Sequence, residues 1–193
     1  MARIPQNAWV IGVFTGLNRG RDFGILESVL EEVGDAYLVV AGTGAQSPAI
    51  ERLAQTNPRV RYLGFVPDIA PWYGAVDMVL YLLDPASRNA RHGFPNNVAT
   101  AVAAGVPILT NDVGECARLV KQYRLGPIVA SATRSALSSA IRRLRSPEEY
   151  ATYVHNSQSA RDRFDWKHSR STLLAAYRRL FESGDAPEHR ATS

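Results

Sequence analysis

The sequence predicts an α/β fold, a Rossmann-like doubly wound parallel sheet with helices on both faces. Short strands that are apolar throughout alternate with amphipathic helical segments, which is typical of a parallel sheet buried on both sides. After about residue 132 the pattern is helical only. We therefore expect a Rossmann-like core over residues 1–132, C-terminal helices that pack on it over 133–184, and a frayed tail over 185–193.

The first two thirds of the chain carry the alternation. Residues 9–14 are apolar and close on Thr15-Gly16, which indicates a buried strand and its turn. Residues 22–33 change to a helical period, with Phe23 and Leu26 on the apolar side, and Gly34 fits the C-cap. The same alternation predicts strands at 37–41, 60–65, 78–82, 107–110 and 127–129, helices at 49–55, 97–104 and 115–123, a helical turn near 71–75 and a loop at 84–96.

Three helices are predicted after Thr133. Pro147 at a first helical position begins the second of them, which runs to about Phe164. The apolar stripe of the first helix is Leu137, Ala140, Ile141 and Leu144, with Arg134, Arg142, Arg143 and Arg145 expected to point to solvent; the last helix has Leu173, Leu174, Tyr177 and Leu180 on one face.

Composition excludes several classes of protein. The 193 residues are 46% hydrophobic and 21% charged, which is typical of a globular domain rather than a disordered or fibrous chain. The one cysteine, Cys116, cannot form an internal disulfide, and no Cys/His cluster has metal-ligand spacing. No apolar run approaches the ~18–20 residues of a membrane span. We expect a reducing, cytoplasmic location.

The positive charge lies at the C-terminal end. Lys and Arg balance Asp and Glu at eleven each up to Ala132, and exceed them by eleven to seven from Thr133 onward. A nucleic-acid-binding protein would normally concentrate basic residues with aromatics on one face, and no such stripe is present in the first two thirds. We therefore expect no nucleic-acid partner, and explain the basic residues as a solvated face, with peripheral membrane contact as the alternative.

Ligands of open parallel sheets bind at the carboxyl ends of the strands, so the loops that follow strands are the candidate sites. Residues 15–21, with Gly16 and Arg19, combine close backbone approach with guanidinium groups that suit phosphate. The turn with Gly42 and Gly44 partly resembles a dinucleotide fingerprint, for which Asp68 would be the ribose acid. That motif follows the second strand and lacks its third glycine, so we discount a dehydrogenase.

The loop 88–97 and the small-residue helix after it are the most informative segment. The run from His92 to Pro107, HGFPNNVATAVAAGVP, resembles the donor-site signature of retaining GT-B glycosyltransferases of the glycosyltransferase 4 (group 1) kind, roughly E-G-F-G, a second Glu, then A-x-G-x-P-V. Other stretches resemble the family in the same order: residues 39–44, 60–66, 75–78, 112–115, and 164–166 with Tyr177. The likeness covers most of residues 9–181.

The resemblance implies the C-terminal, donor-binding half of a two-domain enzyme. The N-terminal acceptor domain is expected to be absent from this chain, which would then be an excised fragment, a separately encoded subunit or a protein that stands alone with a reduced role. The implied donor is a nucleotide diphosphate sugar, UDP- or GDP-linked, used without a metal or other cofactor. By the same likeness, Arg19 would contact the diphosphate and His92 the sugar. The implied donor-binding residues are Gly16, Gly42, Gly44, Val66, Gly93, Phe94, Asn96, Asn97 and Thr100.

The chain departs from the family at the two carboxylates, where it has His92 and Thr100. A neutral hydroxyl at Thr100 supplies one hydrogen bond where a carboxylate would accept two from the ribose. A neutral His92 removes a negative charge beside the sugar. Two other readings therefore stay open: a non-catalytic nucleotide-binding or interaction module on the same fold, and, less favoured, an NAD-type oxidoreductase.

Overall fold

The computed structural model describes residues 4–18 and 23–182. Six parallel strands form one sheet in the order β3-β2-β1-β4-β5-β6, the strand order of a doubly wound Rossmann-type sheet, so the predicted fold class is confirmed. The strands are β1 Val10–Phe14, β2 Tyr37–Ala41, β3 Val60–Tyr62, β4 Met78–Tyr81, β5 Ile108–Asn111 and β6 Ile128–Val129. The helices are α1 Ile25–Val33, α2 Ser47–Thr56, α3 Ala70–Tyr73, α4 Arg88–His92, α5 Asn96–Ala104, α6 Gly114–Tyr123, α7 Arg134–Leu144, α8 Pro147–Phe164 and α9 Trp166–Glu182.

The direction of strand addition reverses at β1. The chain first adds β2 and β3 on one side of β1, then returns to place β4 on the other side. Gly12 pairs in register with Val39 of β2 and with Val79 of β4. Such a reversal opens a crevice at the carboxyl ends of the two strands that flank it, here β1 and β4.

The strands bury both faces of the sheet because successive side chains alternate between two cores. Ile11, Leu38 and Met78 belong to the core that α1, α2 and α7 cover. Val10 and Val79 belong to the opposite core, under α3, α5 and α6. Each strand is therefore apolar throughout, which is why the sequence shows continuous apolar runs rather than a polar alternation.

Helix α7 packs against α1, and charged residues frame the apolar contact. The four arginines expected to point to solvent are each in an ion pair, and three of them are exposed as predicted: Arg134, Arg142 and Arg143. The shortest contacts are 2.7 Å from Arg142 and 2.9 Å from Arg134 to Glu32, 2.6 Å from Arg145 to Asp35, and 3.2 Å from Arg143 to Glu149. The hydrogen bond from Arg142 is the main cause that lowers the pKa of Glu32.

Two predicted segments differ from the structure. The predicted loop 84–96 contains α4, which the Ser87 hydroxyl caps by accepting a hydrogen bond from the Ala90 amide at 3.3 Å. Strand β3 ends at Tyr62, before the predicted residue 65, and Gly64 takes a left-handed conformation with φ of 66°. Both differences lie at the carboxyl edge of the sheet.

Helix α9 makes few contacts with the rest of the described chain. Every side chain described in α9 is exposed, including the apolar residues that the sequence placed on one face. The exposed fractions of Leu173, Leu174, Tyr177, Leu180 and Phe181 are 47%, 44%, 52%, 55% and 81%. Helices α7 and α8 contribute Ile141 and Ala160 to the two cores, but none of the α9 side chains that the structure describes is buried. Within the described ranges, no helix is both long and apolar enough to cross a membrane.

Candidate functional site

Two cavities flank the loop that follows β1. The first, which we call the β1–β3 cleft, has a volume of about 310 Å³ and lies between the ends of β1 and β2 and the loop after β3. The second, which we call the β4 cavity, has a volume of about 150 Å³ and lies between the loop after β1 and the segment from β4 to α5. Gly16 lines the first and Asn18 the second, so one short loop separates them.

The β1–β3 cleft has an apolar wall and a wall of backbone. Phe65 and Val66 follow β3, and the ring of Phe65 is 73% exposed. Such exposure is unusual for a phenylalanine in a small domain and leaves a flat apolar surface at the entrance. Opposite it, Gly16 and Gly42 present backbone without side chains. The cleft therefore suits a flat group that stacks on one side and hydrogen-bonds on the other.

The loops after β1 and β2 interlock through backbone hydrogen bonds. The Thr15 amide donates to the Ala41 carbonyl and the Leu17 amide to the Thr43 carbonyl, both at 3.0 Å. A Cβ on Gly42 would lie 1.9 Å from the Thr15 carbonyl oxygen, and a Cβ on Gly44 would lie 2.5 Å from the Leu17 carbonyl oxygen. Both glycines are thus required for close approach of the two loops.

The β4 cavity is lined mainly by polar groups. Asp84 lies three residues beyond the end of β4, and Asn89 lies on α4. Asn111 at the end of β5 accepts a hydrogen bond from the Leu83 amide at 2.8 Å and donates to the Leu83 carbonyl at 2.7 Å. This buried amide continues the pairing of β4 with β5 past the end of β4, so the backbone that enters the cavity is fixed.

Asn97 joins α5 to the end of β1. Its side-chain amide donates a hydrogen bond to the Phe14 carbonyl, across the crevice between β1 and β4. The Thr100 hydroxyl, one turn further along α5, donates to the Asn96 carbonyl at 3.1 Å. Beneath this end of β1 the ring of Tyr73 packs on Phe14, and burial raises the pKa of the Tyr73 phenol.

The predicted site residues fall into three groups. Gly16, Gly42 and Val66 line the β1–β3 cleft, and Gly93 and Phe94 line the β4 cavity. The second group is occupied with internal contacts: Gly44 against the loop after β1, and Asn96, Asn97 and Thr100 at the start of α5. The third group comprises His92, which is exposed on α4 and lines neither cavity, and Arg19, which lies outside the described residues.

The cavities are also lined by residues that the sequence did not single out as site residues, among them Asn18, Phe65, Asp84 and Asn89; the candidate loops 15–21 and 88–97 contain Asn18 and Asn89. Asp84 and Phe65 could have been found, since each comes within three residues of the carboxyl end of a strand. Across the described residues, no three His, Cys, Asp or Glu side chains could together hold a metal ion, and the expectation of metal-free chemistry stays a prediction.

A protein-family model described as "Glycosyl transferases group 1" matches residues 24–146. A curated relative, the phosphatidyl-myo-inositol mannosyltransferase of Mycobacterium leprae, is 24% identical over 160 residues. That match covers 82% of this chain and 42% of the relative, so the chain spans less than half the length of that protein.

Solved structures share the fold at low identity. Anabaena Alr3699/HepE in complex with UDP aligns with a TM-score of 0.75 and 22% identity, over 90% of this chain and 50% of that one. Sucrose-phosphate synthase from Thermosynechococcus elongatus aligns with a TM-score of 0.78 and 22% identity, over 93% of this chain and 47% of that one. These alignments confirm the Rossmann-like fold of this chain, which aligns with about half of each of those two structures.

We predict that Gly42→Ala lowers the free energy of unfolding by more than ~1 kcal/mol, because a Cβ there collides with the Thr15 carbonyl and the backbone φ is 135°. The matched control is Gly74→Ala, where the backbone is right-handed and the nearest atom to a Cβ lies at 3.6 Å. The measurement is urea unfolding of both variants. A Gly42 variant as stable as the control would contradict the interlock of the two loops.

Proposed function

Because the chain belongs to the group 1 glycosyl transferases, we propose that it binds the nucleotide-sugar donor of a reaction that transfers a sugar to an acceptor. The observation that carries the proposal is the pair of cavities on either side of the loop after β1, at the reversal of strand order. Two neighbouring cavities of different lining suit a ligand with two chemically different ends.

The lining of each cavity suggests the orientation of the donor. The flat base would stack on Phe65 in the β1–β3 cleft, and the sugar would enter the polar β4 cavity. The diphosphate would then cross the loop 15–18, close to the amino end of α5, whose dipole favours an anion. The complex of Anabaena Alr3699/HepE with UDP supports a uridine donor, with GDP-linked sugars as the second choice.

Cleavage of the donor leaves negative charge on the diphosphate, so the reaction requires a cation or fixed dipoles at that place. We propose that Arg19 supplies the cation, as the family resemblance implies. The proposed reaction transfers a hexose with retention of configuration and without a metal or other cofactor. His92, whose side chain lies outside the β4 cavity, would act in this scheme only if α4 turns it toward the sugar.

Two observations favour a second candidate function, a nucleotide-binding or interaction module without catalysis. The Thr100 hydroxyl donates its hydrogen bond to the Asn96 carbonyl, and the His92 side chain is exposed to solvent. Neither residue replaces the missing carboxylates in the described arrangement. The oxidoreductase alternative is weaker, because Gly42 and Gly44 have a packing role that requires no dinucleotide.

We further propose that the acceptor-binding half of the assembly covers α9. The matched relatives are about twice as long as this chain, and α9 presents an apolar face with Leu173, Leu174 and Tyr177, whose side chains are about half exposed. A contiguous exposed apolar face is typical of a surface that contacts another domain or subunit.

Calorimetric titration of the purified chain with UDP, GDP and ADP tests donor binding. We expect one nucleotide to bind, and at ~100 times its Kd to raise the free energy of unfolding by ~2.7 kcal/mol. Arg19→Ala should abolish this shift. Arg161→Ala is the matched control, since Arg161 lies beside Gly105 at the opposite end of α5 and should leave binding unchanged. No binding by any nucleotide at millimolar concentration would contradict the proposed function.

The proposed contact of α9 makes a separate prediction. Leu174→Ser combined with Tyr177→Ser should change the free energy of unfolding of this chain by no more than ~0.5 kcal/mol per substitution, because both side chains are exposed. Leu137→Ala in the core should cost ~2–5 kcal/mol in the same assay. A large loss of stability in the α9 variant would mean that α9 packs on this chain, and would contradict the proposal.

A further inference from the structure

We propose that Asp84 recognises the transferred sugar by accepting hydrogen bonds from its hydroxyl groups. The inference rests on the proposed function and deepens it, because it assigns the sugar end of the donor to a particular side chain. Asp84 lies at the carboxyl end of β4, on the wall of the β4 cavity, beside Gly93 and Phe94.

The carboxylate of Asp84 is held in one orientation. Its Oδ1 atom accepts a hydrogen bond from the Ala86 amide at 2.8 Å, and its carbonyl accepts one from the Ser87 amide at 3.1 Å. The preceding residue, Leu83, is fixed on both backbone groups by the buried amide of Asn111. The position of the carboxylate is thus set before any ligand binds, which reduces the ordering cost of binding.

The other carboxylate oxygen of Asp84, Oδ2, is not held by the turn that holds Oδ1. Oδ2 accepts no hydrogen bond from any residue of the described ranges. Asn18 and Asn89 line the same cavity with side-chain amides, which both donate and accept. An acceptor-only carboxylate with two amides matches the alternating donors and acceptors of neighbouring hydroxyl groups on a sugar ring, and Phe94 adds an apolar edge.

The size of the cavity limits the ligand. Its volume of about 150 Å³ lies below the ~300–1,000 Å³ that is usual for a whole small-molecule ligand. It therefore takes one end of a longer molecule, whose remainder extends past Asn18 and Gly16 into the β1–β3 cleft. A metal ion is a poorer match, because Asp84 is the one carboxylate among the described residues that line the cavity.

A neighbouring carboxylate provides the control. Asp84 also borders a second cavity, of about 330 Å³, on the side of β5 and β6. Asp112 lines that second cavity and not the β4 cavity, although it too lies at the carboxyl end of a strand. A general effect of negative charge at this edge of the sheet would be the same for both residues, whereas sugar recognition would be specific to Asp84.

The test compares two probes on matched variants by titration calorimetry. The probes are a nucleoside diphosphate and its sugar conjugate, UDP with UDP-glucose and GDP with GDP-mannose. Asp84→Asn keeps the shape and the Oδ1 acceptor for the Ala86 amide but removes the charge. We expect this variant to lower the affinity for the sugar conjugate about tenfold or more, and the affinity for the diphosphate by no more than about twofold. Asp112→Asn should change neither affinity.

Asn89→Ala is a second variant, which leaves the turn at Asp84 intact. It should also lower the affinity for the sugar conjugate without changing the affinity for the diphosphate. If Asp84→Asn lowers the affinity for both probes equally, or for neither, the inference is overturned while the proposed function stands. If the unaltered chain binds neither the diphosphates nor their conjugates, the proposed function fails and the inference falls with it.

Discussion

The carboxyl end of β1 is the constraint on which the site depends. Pairing of β1 with β4 is described only at Ile11 and Gly12, so the two strands diverge beyond Gly12 and leave backbone groups that need partners. The Phe14 carbonyl accepts the Asn97 side-chain amide from one side, and the Thr15 amide donates to the Ala41 carbonyl on the other. The crevice can therefore open without leaving these buried polar groups unsatisfied.

The rest of the site follows from that opening. The loop after β1 is tied to the loop after β2, so its backbone separates two cavities of different character. The apolar cleft beside Phe65 and the polar cavity beside Asp84 lie on the two sides of a reversal in strand order. A nucleotide sugar has the same division into a flat base and a polyhydroxylated ring, with a charged link between them. The ion-paired face between α1 and α7 and the exposed face of α9 lie outside this arrangement.

The sequence predicted the strands of the sheet more accurately than the segments at its carboxyl edge. Continuous apolar runs identify buried parallel strands, because both faces of such a strand are covered, and all six were predicted. Helix α4 was missed because its five residues depend on the cap at Ser87 rather than on a hydrophobic period. The periodicity of α9 predicted its apolar face correctly, but periodicity cannot say whether the chain itself covers that face. The sequence could have indicated Asp84 from its place after β4, but not how the preceding backbone is held. That depends on Asn111, which lies 27 residues away in sequence and meets Leu83 only through the pairing of β4 with β5.

Amide hydrogen exchange with and without the nucleotide diphosphate that binds is the most direct test of the central claim, that the crevice at the carboxyl ends of β1 and β4 is the ligand site. The account predicts slower exchange in residues 15–18, 64–66 and 93–97 when the nucleotide is present. Amides at the opposite edge of the sheet, such as those of Tyr37 and Asp77, should be unchanged. Protection confined to that opposite edge or to α9, with none around the crevice, would contradict the account.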